Sequence, residues 1–252
     1  MFPSSSPLLY PVLIYSIELA RTVLSEYHHS SHNLRPFFNP SKLCDAHVLE
    51  LGSGVGLLGC LLAPLVKHYI VTDLPEMLPL IQRNMEHQIP KTSSPLASRG
   101  RRKGNRPPLG SEAQLNYTVA ALDWTDVASS APNSTARRLI RSSVLGSSVK
   151  GVDLIIAVDT LYNTALVPPF LATLEEFSQE GTAVLVVCEL RDEDVIRVFL
   201  EGWLSLGSWE VWRVGGRTTP GTHNVGDGAG EEEKTFEPFL NGPFVSWLGW
   251  KS

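Results

Sequence analysis

Two periods alternate along this chain, short unbroken apolar runs and stretches whose apolar positions recur every three or four residues, and their alternation predicts an α/β fold. Val12, Ile17, Leu19, Ala20, Val23 and Leu24 predict an amphipathic helix over 13–26. After a polar loop with Pro36 and Pro40, the run 47–51 reads as a buried strand closed by Gly52, Gly54 and Gly56. A helix follows, with Leu57, Leu58, Leu61, Leu62 and Leu65 as its apolar face. Pro64, which lacks a backbone donor, marks its last turn or a kink. The β-rich run 69–72 ends at Asp73, and 76–88 reads as a second helix with acidic residues near its start.

Residues 90–114 break the pattern with prolines, serines and the cluster Arg99, Arg101, Arg102, Lys103 and Arg106, too polar to form a core. A third strand over 116–122 ends at Asp123-Trp124. The polar stretch 126–150 reads as linker with a short helix near 136–144. The run 152–158 is a buried strand followed directly by Asp159. Pro168 and Pro169 suit the first turn of a helix through Phe177, 182–188 is a fifth strand, and 192–206 is a helix. Two last strands, 209–214 and 244–250, flank a glycine-rich stretch, 215–230, and the acidic run Glu231, Glu232 and Glu233. The expectation is a single domain over 1–252: a mostly parallel Rossmann-like sheet with an antiparallel finish, and flexible insertions at about 90–114, 126–150 and 215–233.

Composition narrows the function classes. A formal charge of −5 and a pI near 5.8 give no cationic field of the kind that drives phosphate-backbone binding, so dedicated nucleic-acid binding is not expected. Cys44, Cys60 and Cys188 are widely spaced and form no CxxC or His/Cys cluster, which points to reduced intracellular thiols and no metal. The apolar run near the N-terminus is interrupted by Pro11, followed by Glu18 and Arg21, and preceded by no basic region, so it is not read as a signal peptide. No uncharged apolar run approaches the length of about 18 residues that spans a bilayer. A protein of the cytoplasm, with the nucleus open, and no membrane partner follows.

The chemistry sits at the strand ends. In Glu50-Leu-Gly-Ser-Gly-Val-Gly, the glycines Gly52, Gly54 and Gly56 let the chain turn sharply around Ser53 and approach a ligand closely, and the next helix start offers N–H groups. Such a turn also serves nicotinamide and flavin sites. Asp73, roughly twenty residues on, stands where an acidic side chain receives two ribose hydroxyls, with Leu74 beside it. Glu50 discriminates between ligands, because a carboxylate there repels a pyrophosphate and receives an ammonium. That favours S-adenosyl-L-methionine. Asp123 can accept from an adenine amino group, and Trp124 can lie against the ring.

The segments ELGSGVGLLG, VTDL, ALDW and AVDTLYN, in this order at successive strand ends, resemble the seven-strand protein-lysine methyltransferases of the methyltransferase-like group, family 16. The resemblance covers about 8–251, outside the two polar insertions. It implies a class I methyltransferase fold, S-adenosylmethionine bound by Glu50, Gly52, Ser53, Gly54, Gly56, Asp73, Leu74, Asp123, Trp124 and Val158, and catalytic Asp159 and Tyr162 from the Asp-x-x-Tyr signature. It also implies a monomeric enzyme whose partner is a protein presenting a lysine. The runs CELRDEDVIRVFL and FVSWLGWK are similar to fungal members that act on ribosomal proteins. One departure stands out: the family carries a tryptophan in its N-terminal helix region, where this chain has Tyr10 and Tyr15. The competing readings are an RNA or other nitrogen methyltransferase, whose usual Asn/Asp-Pro-Pro-Tyr turn is replaced here by Asp-Thr-Leu-Tyr, and a non-catalytic cofactor-binding scaffold.

Overall fold

The computed structural model describes residues 19, 40–89, 116–146, 149, 151–214 and 244–252. The expected N-terminal helix, apart from Leu19, which is helical and buried, lies outside the described residues, as do Tyr10, Tyr15 and the insertions at 90–114 and 215–233.

A short helix α1 (Pro40–Leu43) leads into β1 (His47–Leu51), α2 (Leu57–Leu62), β2 (His68–Asp73), α3 (Leu78–Gln88) and β3 (Tyr117–Ala121). Next come α4 (Trp124–Ser129), α5 (Thr135–Leu145), β4 (Leu154–Val158), α6 (Val167–Phe177), β5 (Ala183–Glu189), α7 (Glu193–Ser205), β6 (Trp209–Val214) and β7 (Phe244–Lys251). The strands form one seven-stranded sheet in the order β3-β2-β1-β4-β5-β7-β6. β1 to β5 pair in parallel, while β7 runs antiparallel between β5 and β6. This is the class I methyltransferase arrangement that the resemblance implied, and the apolar runs reached it because parallel strands covered on both faces lose the polar alternation.

Successive side chains of each strand feed opposite layers. On one face, Leu49, Leu51, Ile155, Ala157, Val184 and Val186 pack with α4 to α7. On the other, Val48, Tyr69, Val71, Ile156 and Leu185 meet Leu58 and Leu62 of α2, Ile81 and Met85 of α3, and Leu19. Aromatic rings thread the first layer from Trp124 to Phe170 (centroids 5.2 Å apart), on to Phe199 (5.9 Å), and from there to Trp203 (5.2 Å) and Trp247 (6.0 Å). Glu175 of α6 clasps the terminal hairpin, accepting from Trp209 Nε1 at 2.5 Å and Lys251 Nζ at 3.0 Å.

In the stretch 126–150 the short helix expected near 136–144 is present as α5, but the rest is less linker-like than expected, since α4 fills its start and the two helices close one side of the core. Its polarity is misleading because one buried position of α5 is Arg137, whose stem lies inside while its head is satisfied. Arg137 Nε donates to the Val127 and Ser130 carbonyls at 3.1 and 3.0 Å, and Nη1 lies 3.6 Å from Glu176 of α6. Smaller differences follow local rules. Leu61 is 37% exposed rather than on the apolar face of α2. The helix expected from 76 begins at Leu78, since 74–77 form a turn in which Met77 N–H donates to the Leu74 carbonyl at 2.9 Å. Pro64 sits in a 3₁₀ turn, Ala63–Leu65, that ends α2.

The tightest approach between β7 and α7 predicts a stability effect. A Cβ added at Gly249 falls within the fully buried indole of Trp203. Gly249→Ala should therefore cost about 1–3 kcal/mol by overpacking, measured as a lower urea midpoint; an unchanged midpoint refutes this packing.

Candidate active site

The carboxyl ends of β1, β2 and β4 converge on one rim because parallel strands all finish on the same side of the sheet. β1 runs into a turn in which Gly52 has φ 66° and Gly56 φ 75°, left-handed values costly for any residue with a Cβ. Space is a second constraint: a Cβ on Gly52 would stand 2.8 Å from Thr160 Cγ2 and 3.4 Å from the Trp124 ring, and one on Gly56 would stand 3.0 Å from Ile81. Gly52, Trp124 and Thr160, from three different strand ends, thus share one small space. The turn is held from several sides. Ser53 N–H donates to the Thr72 carbonyl at 3.0 Å, Asn84 Nδ2 to the Val55 carbonyl at 2.9 Å, and Gly54 N–H to Asp73 Oδ2 at 2.7 Å.

Asp73 also accepts the Leu74 N–H at 2.7 Å. Burial raises its pKa despite those two donors, with Glu76 adding repulsion. Leu74 itself is 40% exposed. Asp123 caps α4, its Oδ1 accepting from Thr125 N–H at 2.8 Å and Thr125 Oγ1 at 2.7 Å. That capping aims Trp124 back toward Gly52 and Phe170, edge-on to the latter.

Glu50 is buried beneath the turn. Tyr69 donates its hydroxyl to Oε2 at 3.0 Å, and Thr72 Oγ1 donates to the Glu50 carbonyl at 2.6 Å. Burial pushes its carboxyl from an ordinary 4.5 up to about 8, with Asp73 adding to the rise and Tyr69 and the Gly59 backbone opposing it. A carboxyl in that position is largely neutral near neutral pH, and a neighbouring cation would ionise it.

At the end of β4, Val158 is buried in the layer that also holds Val187. Asp159 has φ 53°, its side chain is 5% exposed, and its Oδ2 lies 3.0 Å from Arg191 Nη2. Burial raises its pKa, with Arg191 lowering it and Glu189 raising it. Tyr162 stands out at 68% exposed. Among the described residues no group of three or more His, Cys, Asp or Glu is placed to hold a metal ion.

The sequence reading missed Asn84, Thr160, Tyr69 and Arg191. Thr160 was discoverable, since it follows Asp159 directly at a strand end; the others approach from elements whose register only the fold sets.

Two side chains at these strand ends are suited to a polar ligand such as S-adenosylmethionine. Ser53 Oγ and Thr160 Oγ1 are buried and find no protein hydrogen-bond partner, although nearly all such groups are paired in folded proteins. Both belong to the strand ends that meet at Gly52, where no side chain fits, and a ligand with amino-acid and ribose polar groups would supply what they lack.

Sheet order and the parallel run of β1 to β5 define a class I methyltransferase fold, with the glycine turn and the strand-end carboxylates at its carboxyl rim. The chain belongs to the lysine methyltransferase family, which it matches over residues 16–99 and 135–202. It is 32% identical over 169 residues to ribosomal lysine N-methyltransferase 5 of Zygosaccharomyces rouxii, covering 61% of this chain and 49% of that protein. To the protein of that name from Saccharomyces cerevisiae (strain YJM789) it is 31% identical over 175 residues, covering 61% and 47%. The chain thus spans about half the length of the curated relatives it matches. Among solved structures, an S-adenosylmethionine-dependent methyltransferase from Clostridium acetobutylicum aligns at TM-score 0.49 and 14% identity, over 97% of this chain and 95% of that one.

Because the folded carboxyl of Glu50 titrates above its unfolded value, its contribution to stability is fully present below about 4.5 and is lost as pH rises through about 8. The chain measured without ligand should lose stability across that window, by at most about 1.4 kcal/mol per pH unit from this group. Glu50→Gln should flatten the dependence. Urea midpoints at a series of pH values check this, and equal slopes in both proteins would refute the buried carboxyl as its source.

Proposed function

We propose that this chain transfers a methyl group from S-adenosylmethionine to the side-chain nitrogen of a lysine on a ribosomal protein. Membership of the lysine methyltransferase family supports the reaction, and the relatives named ribosomal lysine N-methyltransferase support the acceptor class. The single observation that carries it is the juxtaposition of the Gly52 turn, Trp124 and Thr160, with unpartnered buried hydroxyls on Ser53 and Thr160 at the same strand ends. A ribosomal acceptor favours action in the cytoplasm, with the nucleus as a second location. Among the described residues no helix is long and apolar enough to cross a membrane.

In this reading Asp73 receives the ribose hydroxyls, and its bonds to Gly54 and Leu74 N–H hold it in place for them. Asp123 accepts from the adenine amino group while it caps α4, and Trp124 walls the ring. Ser53, Gly52, Gly54 and Gly56 surround the amino-acid end, with Glu50 as counter-charge to its ammonium and Leu74 and Val158 shaping the pocket. Bound there, the cofactor supplies an electrophilic methyl group for in-line displacement by an amine.

The protein's task is to deliver that amine unprotonated and aligned. A lysine titrates near 10.4 in water, so deprotonation costs roughly 4–5 kcal/mol at neutral pH. A neighbouring positive sulfur and the exclusion of water both reduce this. Asp159 orients the amine by accepting a hydrogen bond, and exposed Tyr162 flanks the lysine's path. The nitrogen lone pair forms the new N–C bond as the C–S bond breaks, and the proton is lost to water.

Radiolabelled methyl transfer to whole ribosomes, protein and RNA together, purified from Saccharomyces cerevisiae cells lacking their own relative of this chain tests the reading. Incorporation into lysine, identified by mass spectrometry, is expected; label in RNA only, or in nothing, overturns it. Asp159→Ala should reduce the rate roughly 10- to 100-fold through lost alignment, with a smaller effect from Tyr162→Phe, and a wild-type rate in the aspartate variant removes its role. Titration calorimetry with S-adenosylhomocysteine should show Asp73→Ala binding about 10- to 100-fold more weakly, as expected for lost hydrogen bonds to a charged group; equal affinity would discard the ribose assignment.

A further inference from the structure

Asp159 does not stand alone at the rim. Its backbone holds a left-handed φ of 53°, which is strained for a side chain with a Cβ, and its N–H donates to the Val187 carbonyl at 2.7 Å. Its Oδ2 accepts from Arg191 Nη2 at 3.0 Å, while Nε of the same guanidinium donates to Glu189 Oε2. Arg191 N–H also donates to the Glu189 carbonyl at 2.9 Å, so the turn leaving β5 delivers both ends of the pair. A planar fork between two carboxylates fixes the orientation of both, which a single point charge cannot do. Burial differs across the cluster: the Asp159 side chain is 5% exposed, Glu189 24% and Arg191 33%.

The adjacent thiol of Cys188, pushed up to about 12 by burial, stays neutral and adds no charge beside Asp159.

We propose that Arg191, anchored by Glu189, is a positioning residue that fixes the Asp159 carboxylate at the acceptor end of the cleft and sets the charge with which it meets an incoming lysine. The inference deepens the methyl-transfer reading and rests on it for the acceptor's identity. It assigns a function to the Glu-Leu-Arg turn after β5, which neither the cofactor cleft nor the Asp-x-x-Tyr signature explains. Arg191 opposes the effect of burial on Asp159 and the Glu189 carboxylate reinforces it, while the Glu189 backbone opposes it, so the two side chains pull the titration of Asp159 in opposite directions.

The test uses the full chain and two readouts. Carboxyl carbon NMR, with the Asp159 resonance assigned by Asp159→Asn, should show it titrating at higher pH in Arg191→Ala, near its wild-type position in Arg191→Lys, and at lower pH in Glu189→Gln. Methyl transfer to the ribosome probe should fall roughly 10- to 100-fold in kcat for Arg191→Ala, with KM for the cofactor unchanged, the acidic limb of the pH profile moved upward, and partial recovery in Arg191→Lys. An Asp159 titration indifferent to both partners, or a kcat and pH profile unchanged in Arg191→Ala, overturns the proposal. If Arg191→Ala does not fold, Glu189→Gln alone decides it by the sign of the shift. A wild-type chain that methylates no lysine overturns the underlying reading instead, and the NMR titration still decides whether Arg191 governs Asp159.

Discussion

The carboxylate of Asp73 accepts the Gly54 N–H at 2.7 Å, and on that bond the shape of the cleft depends. Glycines permit the turn after β1 but do not impose it; a chain with so much freedom needs an external constraint to hold one conformation. Asp73 supplies it from the end of the neighbouring strand, helped by the Asn84 amide and by Ser53 N–H bonding to the Thr72 carbonyl. The register of β1 against β2, which pairs Glu50 with Val71 and Leu51 with Thr72, brings these groups within reach. Parallel pairing thus does more than make a core: it sets the carboxylate against the turn.

Rigidity reaches the rim from the other layer through aromatic rings. Trp124 rests edge-on against Phe170, which continues through Phe199 to Trp203 and Trp247, all deep among α6, α7 and β7. A wall built on fully buried rings keeps its position without relying on loop contacts. Arg137 serves the same end by joining α5 to the last turn of α4 and to Glu176 of α6, which turns a polar segment into part of the scaffold.

Two carboxyl groups at the rim illustrate how environment divides their work. Glu50 is buried with a phenol as its nearest partner, and its pKa climbs to about 8; Asp159 is also buried, but a guanidinium opposes the climb. The first suits a counter-charge that forms when a cationic ligand arrives. The second suits an acceptor whose orientation is fixed by its guanidinium partner.

Much of this was legible in the amino-acid order. The runs 47–51, 209–214 and 152–158 read as strands, and the first two match β1 and β6 residue for residue, because buried parallel strands and an aromatic-rich edge leave little ambiguity. The glycines, Glu50, Asp73, Asp123, Trp124, Asp159 and Tyr162 were singled out because each lies at or just beyond the end of an apolar run, where an open parallel sheet places its ligands. In 126–150 the helix near 136–144 was legible, but its packing into the core was not, since that burial involves an arginine whose partners lie outside its own helix. Sequence order alone therefore determined the alternation of elements and which polar residues reach the rim, since both follow from local periodicity. Only the tertiary structure decided which of those residues touch. The meeting of Gly52 with Thr160 and Trp124, the sinking of Glu50 against Tyr69, and the pairing of Asp159 with Arg191 join distant positions, through strand register and helix packing that no local pattern encodes.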